Sequence, residues 1–148
     1  AFNPSREATM SMEANKDLAR RAIEMWAGNA MIDTSLFRPD YLNWQEPIAA
    51  GGVGAISLEQ WAEIVAANHL AFPDLKVEID RQIAEGDSVA THWRFTATHQ
   101  GDYEGLAGTG RRVSWTGVQI DRVQDGKLAE SRVSWEKFTL FQTLGLIG

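Results

Sequence analysis

The stretch VATHWRFTATHQGDYEGLAGTGRRVSWTGVQIDRVQDGKLAESRVSW, residues 89–135, decides the fold. Apolar and polar side chains alternate within it in three runs, over residues 89–98, over 111–123 and from 128, and the last of these predicts a strand over 128–138. This period of two is typical of half-buried strands. A glycine-rich segment separates the first two runs, and Gln124-Asp125-Gly126 joins the last two as a tight turn. We therefore predict a meander of long antiparallel strands.

Shorter elements precede this meander. Residues 75–80 alternate as another half-buried strand, and Glu85-Gly86-Asp87 marks the hairpin turn that follows it. Ser57 and Gln60 form a capping box, which predicts that a helix begins there. The other predicted elements are a helix over residues 13–27, a short helix over 32–37, a short strand over 41–46, a flexible loop over 49–55 and a short terminal helix over 139–147.

Helices that precede a meander of strands define an α+β fold class. We predict a cone-shaped α+β barrel in which three N-terminal helices pack on a strongly curved, mostly antiparallel sheet. A chain of 148 residues suits one core, so residues 13–148 are predicted as a single domain. Residues 1–12 are polar and are predicted to be a disordered tail or an expression remnant.

Composition excludes several classes of function. The net charge is −6 and no basic patch is visible, which argues against a nucleic-acid partner. No stretch approaches the ~20 apolar residues that span a membrane, so no membrane partner is expected. The chain has no cysteine, which excludes disulfides and thiolate chemistry and fits a cytoplasmic location. Its three histidines lack metal-ligand spacing, so no metal is expected.

Several short motifs together resemble the SnoaL-like polyketide cyclase family of the nuclear transport factor 2-like superfamily. They are Ala71-Phe72-Pro73-Asp74-Leu75, Thr109-Gly110-Arg111, Asp125-Gly126-Lys127 and Gln142-x-Leu144-Gly145, in that order. The resemblance covers the chain from about residue 13 to its end. It implies a cone with a pocket near the helices, a homodimer that forms through the sheet, and chemistry without metal or organic cofactor.

The resemblance does not carry over the catalytic pair of the cyclases. In the family, an aspartate on the last long strand acts with a histidine on the strand before it. The matching positions are Val133 and Gln119, and neither side chain transfers a proton. Glu130 and Glu136 do not replace the aspartate, because they lie on the opposite face of an ideal strand.

Two other residues are candidates for acid–base catalysis. Glu46 ends a predicted strand on the same face as Trp44, where a desolvated carboxyl would have a raised pKa. The alternative is an exposed glutamate before Pro47. His69 follows Trp61 and Val65 at helical spacing, so it lies on or beside the inward face of its helix. The alternative is a core histidine that hydrogen-bonds to a backbone carbonyl.

Aromatic residues and their strand neighbours are the candidates for the wall of a pocket. Residues 115, 119, 133 and 135 share the parity that the resemblance directs inward, and the other candidates come from the remaining predicted elements. The predicted pocket residues are Tyr41, Trp44, Trp61, Trp93, Trp115, Gln119, Val133 and Trp135. Such a wall suits a flat or apolar ligand. The alternative is that the tryptophans fill the cone.

Three hypotheses of function follow. The first is a protein that binds or transforms a small, largely apolar or aromatic ligand without a cofactor. The second is a cofactor-independent enzyme of the cyclase, isomerase, lyase or hydrolase type that uses Glu46 and His69. The third is a non-catalytic dimerisation module with a filled cone.

Overall fold

One mixed sheet of six strands forms the body of the computed structural model, which describes residues 4–45 and 54–147. Helix α1 spans Pro4–Glu24, β1 Phe37–Gln45, β2 Gly54–Ser57, α2 Leu58–Ala71, β3 Lys76–Glu85 and β4 Ser88–Thr98. They are followed by β5 Arg112–Gln124, β6 Lys127–Trp135 and α3 Lys137–Leu144, and a single 3-10 turn spans Thr34–Leu36. The strand order is β2-β1-β6-β5-β4-β3. Only β1 and β6 run parallel, so the predicted α+β class and mostly antiparallel sheet are confirmed.

Irregular pairings bend the sheet into the wall of a cone. The register between β3 and β4 shifts between Ile79 and Arg81, and that between β5 and β6 shifts between Arg122 and Val123. Such bulges increase the local twist and bend the strand. Helices α1 and α2 lie on the concave side, where α1 contacts β3 and β4 and α2 contacts β1. Helix α3 contacts β5.

Two clusters of buried side chains fill the space between helices and sheet. The larger one packs Ile23, Phe72, Leu75 and the inward residues of β4 and β5 together. The smaller one joins α1, β1 and α2 around Phe37, Tyr41 and Trp61. Trp26 touches both clusters, and its ring centroid lies 6.2 Å from that of Trp61 and 6.1 Å from that of Phe95. The core is therefore continuous, and aromatic rings join its two parts.

The N-terminal part differs from the sequence prediction. Helix α1 begins at Pro4, so the segment predicted as a disordered tail is helical over most of its length. It ends at Glu24, and Gly28 comes so close to Pro73 that a Cβ would lie 2.1 Å from that carbonyl oxygen. This contact explains why the residue at this position has no side chain. The predicted helix over residues 32–37 is only the 3-10 turn, because Phe37 already starts β1.

The middle and the end of the chain follow the predictions more closely. Ser57 caps α2 through the predicted capping box, and Asp125 and Gly126 have positive φ in the predicted turn. Strand β6 ends at Trp135, three residues before the predicted end, because α3 begins at Lys137. Of the predicted loop over residues 49–55, all but Gly54 and Ala55 lie outside the described residues, and these two belong to β2.

Gly117 gives a direct test of how tightly the concave face is packed. It pairs with Trp93 across β4 and β5, and a Cβ at Gly117 would lie 2.3 Å from Cζ2 of that indole. We expect Gly117→Ala to displace the ring and lower the free energy of unfolding by about 1–3 kcal/mol. Urea denaturation measures the loss. Ser114→Ala, on the exposed face of the same strand, should change it by less than ~0.5 kcal/mol, and equal stability of the two variants would contradict the packing described.

Candidate functional site

A cavity lies between the concave face of the sheet and the helices and is partly open to solvent. Its volume is about 70 Å³, which is well below the ~300–1,000 Å³ common for ligand pockets. Six aromatic residues, Val133 and four carboxamides line it. These described lining residues are Trp26, Asn43, Gln45, Asn68, Trp93, Phe95, Tyr103, Trp115, Gln119, Val133 and Trp135.

The sheet supplies most of the aromatic wall. Trp93 and Phe95 stack on β4 with ring centroids 4.1 Å apart, and Trp115 of β5 meets Phe95 edge-on at 5.7 Å. Trp135, at the end of β6, lies 6.2 Å from Trp115 and is half-buried. The ammonium of Lys137 lies 5.4 Å from the Trp135 ring centroid, so this indole stands at the rim of the cavity.

Five of the predicted pocket residues meet at this cavity. They are Trp93, Trp115, Gln119, Val133 and Trp135, and all five lie on the concave face of the sheet. The alternation of side chains along β4, β5 and β6 brings them together, as their shared parity predicts.

Trp44 does not line the cavity, and its predicted place in the pocket is corrected. Tyr41, Asn43 and Gln45 point to the concave side of β1, so residue 44 lies on the opposite face. There the guanidinium of Arg132 lies 5.0 Å from the centroid of the Trp44 ring. Trp44 therefore belongs to the outer face of the sheet.

Tyr41 and Trp61 are core residues rather than wall residues. The Tyr41 hydroxyl donates to Ser131 Oγ at 2.7 Å, and the ring packs in the smaller cluster. The ring of Trp61 lies 4.6 Å from that of Phe37, centroid to centroid, and is almost fully buried. Both side chains support the cavity from behind without lining it.

Of the two predicted catalytic residues, the structure describes one, and its ring contacts the backbone. Nε2 of His69 lies 2.7 Å from the backbone carbonyl oxygen of Met25, so this histidine ties α2 to the end of α1. It does not line the cavity. This is the alternative that the sequence left open for His69. Glu46 lies outside the described residues, and its predicted role stays a prediction.

A chain of hydrogen bonds that ends on the Asp121 carboxyl runs behind the cavity wall. Gln45 Nε2 donates to Asn43 Oδ1 at 2.6 Å, and Asn43 Nδ2 donates to the Tyr41 hydroxyl at 2.8 Å. Tyr41 donates to Ser131, and Ser131 donates to Asp121 Oδ1. Every donor in this chain points toward the carboxyl, which is the arrangement that stabilises a negative charge.

Gln119 reaches the same carboxyl from the cavity side. Its Nε2 lies 3.1 Å from Oδ1 and 3.2 Å from Oδ2 of Asp121, while its Oε1 accepts a hydrogen bond from Trp93 Nε1 at 3.2 Å. Both ends of the Gln119 amide are therefore engaged. Gln119 separates the fully buried Asp121 from the cavity.

Burial raises the pKa of the Asp121 carboxyl from 3.8 to about 6, although the hydrogen bonds from Ser131 and Gln119 act in the opposite direction. Asp121 was not among the candidate residues predicted from the sequence. The alternation of side chains along β5 indicated its direction, because Asp121 lies two positions after residue 119 and therefore points inward with residues 115 and 119. A carboxyl at that position has to be buried in the cone.

A curved sheet that wraps with helices around an aromatic cavity defines the class of cone-shaped α+β proteins. Within this class the chain belongs to the SnoaL-like polyketide cyclase family, whose sequence model matches residues 16–144. No curated protein sequence matches the chain. Among the described residues, no helix has both the length and the apolar character needed to cross a membrane.

Solved structures of three similar proteins agree with this assignment. AclR of Streptomyces galilaeus, a proposed hydroxylase, is 30% identical over 92% of this chain and 83% of its own, with a TM-score of 0.80. IdmH of Streptomyces antibioticus, a proposed polyketide cyclase, is 25% identical over 88% of this chain and 98% of its own, with a TM-score of 0.75. A proposed SnoaL-like polyketide cyclase of Jannaschia sp. CCS1 is 19% identical over 100% and 99%, with a TM-score of 0.78, and shows the fold alone.

The raised pKa of Asp121 predicts a pH dependence of stability. The folded protein holds this proton up to a pH of about 6, whereas the unfolded chain releases it near 3.8. The contribution of the neutral carboxyl is therefore greatest below pH 3.8 and is lost as the pH rises through about 6. We expect the free energy of unfolding of the parent, minus that of Asp121→Asn, to fall by about 2 kcal/mol from pH 4 to 6 and to level off above about pH 7.

Urea denaturation of both proteins at several pH values measures this difference. Other carboxyls have lowered pKa values and shift stability the opposite way, but they are common to both proteins and cancel in the difference; they are Asp33, Asp40, Asp74, Asp80 and Glu136. A difference that is flat from pH 4 to 6 would show that Asp121 is not held as described.

Proposed function

We propose that the protein binds a small, flat, largely aromatic molecule in the cavity of its cone, in the cytoplasm. The observation that carries the proposal is the composition of the wall. Six aromatic residues and four carboxamides line it, and no charged side chain stands among these described residues. Indole and phenol rings gain most from stacking on another flat ring. A wall without charge favours a neutral ligand, with the carboxamides available to orient it.

Membership of the SnoaL-like polyketide cyclase family supports a ligand of the polyketide type, that is, a ring system that carries oxygen atoms. AclR and IdmH, the proposed hydroxylase and the proposed cyclase, point the same way. The small volume of the cavity adds a condition. A ligand larger than a fragment requires part of the wall to move, and Trp135 at the half-exposed rim is the wall residue best placed to do so.

A second candidate function is acid–base catalysis on the same ligand. Asp121 supports it, because this carboxyl has a pKa of about 6 and contacts Gln119, which lines the cavity. Binding ranks first for two reasons. Asp121 does not line the cavity, because Gln119 lies between them. His69, the predicted catalyst that lies in the described part of the chain, already contacts the Met25 carbonyl.

Binding of bicyclic probes tests the proposed function. We expect tetralin and its ketone α-tetralone to quench tryptophan fluorescence in a saturable way, because indoles form the cavity wall. Val133→Phe places a ring in the cavity and should weaken binding of both probes at least ~10-fold, since a filled pocket loses the apolar area that the ligand buries. Met31→Phe, at an exposed position outside the sheet, is the control and should bind like the parent.

Equal binding by the Val133→Phe and Met31→Phe variants would place the probes outside the cone and contradict the proposal. Faster exchange of the α-hydrogens of α-tetralone in deuterated buffer, lost in Asp121→Asn, would support the second candidate function, catalysis, in addition to binding.

We also propose that two copies of the chain pair through the outer face of the sheet, as the family resemblance implies. Val118 and Ile120 are about half exposed in the middle of β5. Beside them on β6 stands a pair of opposite charges, Glu130 and Arg132, at 3.2 Å, and Arg132 separates Ile120 from Trp44 on β1. An apolar patch flanked by both signs of charge suits self-association about a twofold axis.

Sedimentation analysis tests the dimer. We expect the parent to sediment as a dimer at micromolar concentration, and Ile120→Asp to be a monomer because it buries a charge in each half of the interface. Met31→Asp changes an exposed apolar residue away from the sheet and should leave the dimer intact. A monomeric parent would overturn the proposal.

A further inference from the structure

We propose that the side-chain amide of Asn68 donates the hydrogen bond that holds a carbonyl oxygen of the ligand. The inference rests on the proposed function and names the chemical class of the ligand, a flat cyclic ketone. It is based on which polar atoms of the cavity wall already have hydrogen-bond partners and which do not.

Three of the four carboxamides in the wall are engaged with their neighbours. Gln119 accepts from Trp93 and donates to Asp121. Asn43 donates to Tyr41 and accepts from Gln45, whose Nε2 makes that bond. These three amides belong to the hydrogen-bond network that stabilises the buried Asp121 carboxyl. Their hydrogen bonds fix their orientation.

Asn68 stands outside this chain. Its Nδ2 atom is buried and has no hydrogen-bond partner among the described residues, although the residue lines the cavity. Leaving a buried donor unpaired is unfavourable, and native proteins rarely do so without a functional reason. A ligand that brings an acceptor to this atom restores the missing bond. The unpaired atom is a donor, so the matching ligand group is an acceptor such as a ketone oxygen.

The position of Asn68 suits a flat ketone. The backbone carbonyl of Asn68 accepts from Phe72 N–H at 2.8 Å in the last turn of α2, which fixes the helix at this point. Trp93 and Trp115 lie on the sheet, on the other side of the cavity. A ring that stacks on these indoles can direct an oxygen at its edge toward α2. The wall thus offers one surface for the ring and one donor for the oxygen.

Paired probes isolate this hydrogen bond. α-Tetralone carries the carbonyl and tetralin lacks it, while the rest of the two molecules is alike. We expect the ratio of the tetralin Kd to the α-tetralone Kd to be about 10-fold higher in the parent than in Asn68→Leu, which fills similar space without a donor. The ratio removes any general loss of affinity. Infrared spectroscopy gives a second readout, because the bound carbonyl stretch should move to higher frequency when the donor is lost.

Two further variants serve as a replacement for Asn68→Leu and as its control. Asn68→Ala also removes the donor and suits a helix, so it replaces Asn68→Leu if that variant does not fold. Glu63→Leu adds the same side chain on the exposed side of α2 and should keep the ratio of the parent.

The outcomes separate the inference from the function on which it rests. If both probes bind in the cone and the ratio is the same in the parent and in the Asn68 variants, the inference is wrong and the proposed function stands; water then satisfies this donor. If neither probe binds, the proposed function fails and the inference fails with it. A ratio that falls only in the Asn68 variants supports both.

Discussion

A carboxyl group that is buried in an aromatic core needs hydrogen-bond donors, and the concave face of this protein is arranged around that need. Asp121 has no exposed surface, and the groups that hold it are the hydroxyl of Ser131 and the amide of Gln119. Behind Ser131 the donors continue through Tyr41 and Asn43 into β1. One charge thus links three strands of the sheet, and it decides how the polar side chains beside the cavity are oriented.

The cavity lies beside this hydrogen-bond network. Indole rings supply surface for a flat ligand, and most of the carboxamides are committed to the buried network, which leaves the Asn68 donor unpaired. At the positions that the resemblance assigns to the cyclases' catalytic pair the chain has Gln119 and Val133, and its buried carboxyl, Asp121, does not line the cavity. This explains why membership of a cyclase family supports a ring-shaped ligand more strongly than it supports the cyclase reaction.

Alternation along the strands made much of the sheet predictable. The inward faces of β4, β5 and β6, with Trp93, Trp115 and Val133, follow from period-two patterns alone. Asp121 follows the same alternation, so its inward direction could have been predicted from the sequence. Trp44 was misplaced because it was grouped with Tyr41, three residues away, although alternation puts the two on opposite faces.

Contacts between residues that are far apart in the sequence could not be predicted from the alternation of side chains. The contact of His69 with Met25 depends on how α1 ends, and the unpaired Nδ2 of Asn68 depends on every neighbour that fails to reach it. A crystal structure of the protein with α-tetralone is the sharpest test of whether the cone is a pocket for a flat ring. We expect the ligand to lie against Trp93 and Trp115 with its oxygen at Asn68. An empty cone in crystals saturated with the ketone, or the ketone bound only on the outer face of the sheet, would contradict it.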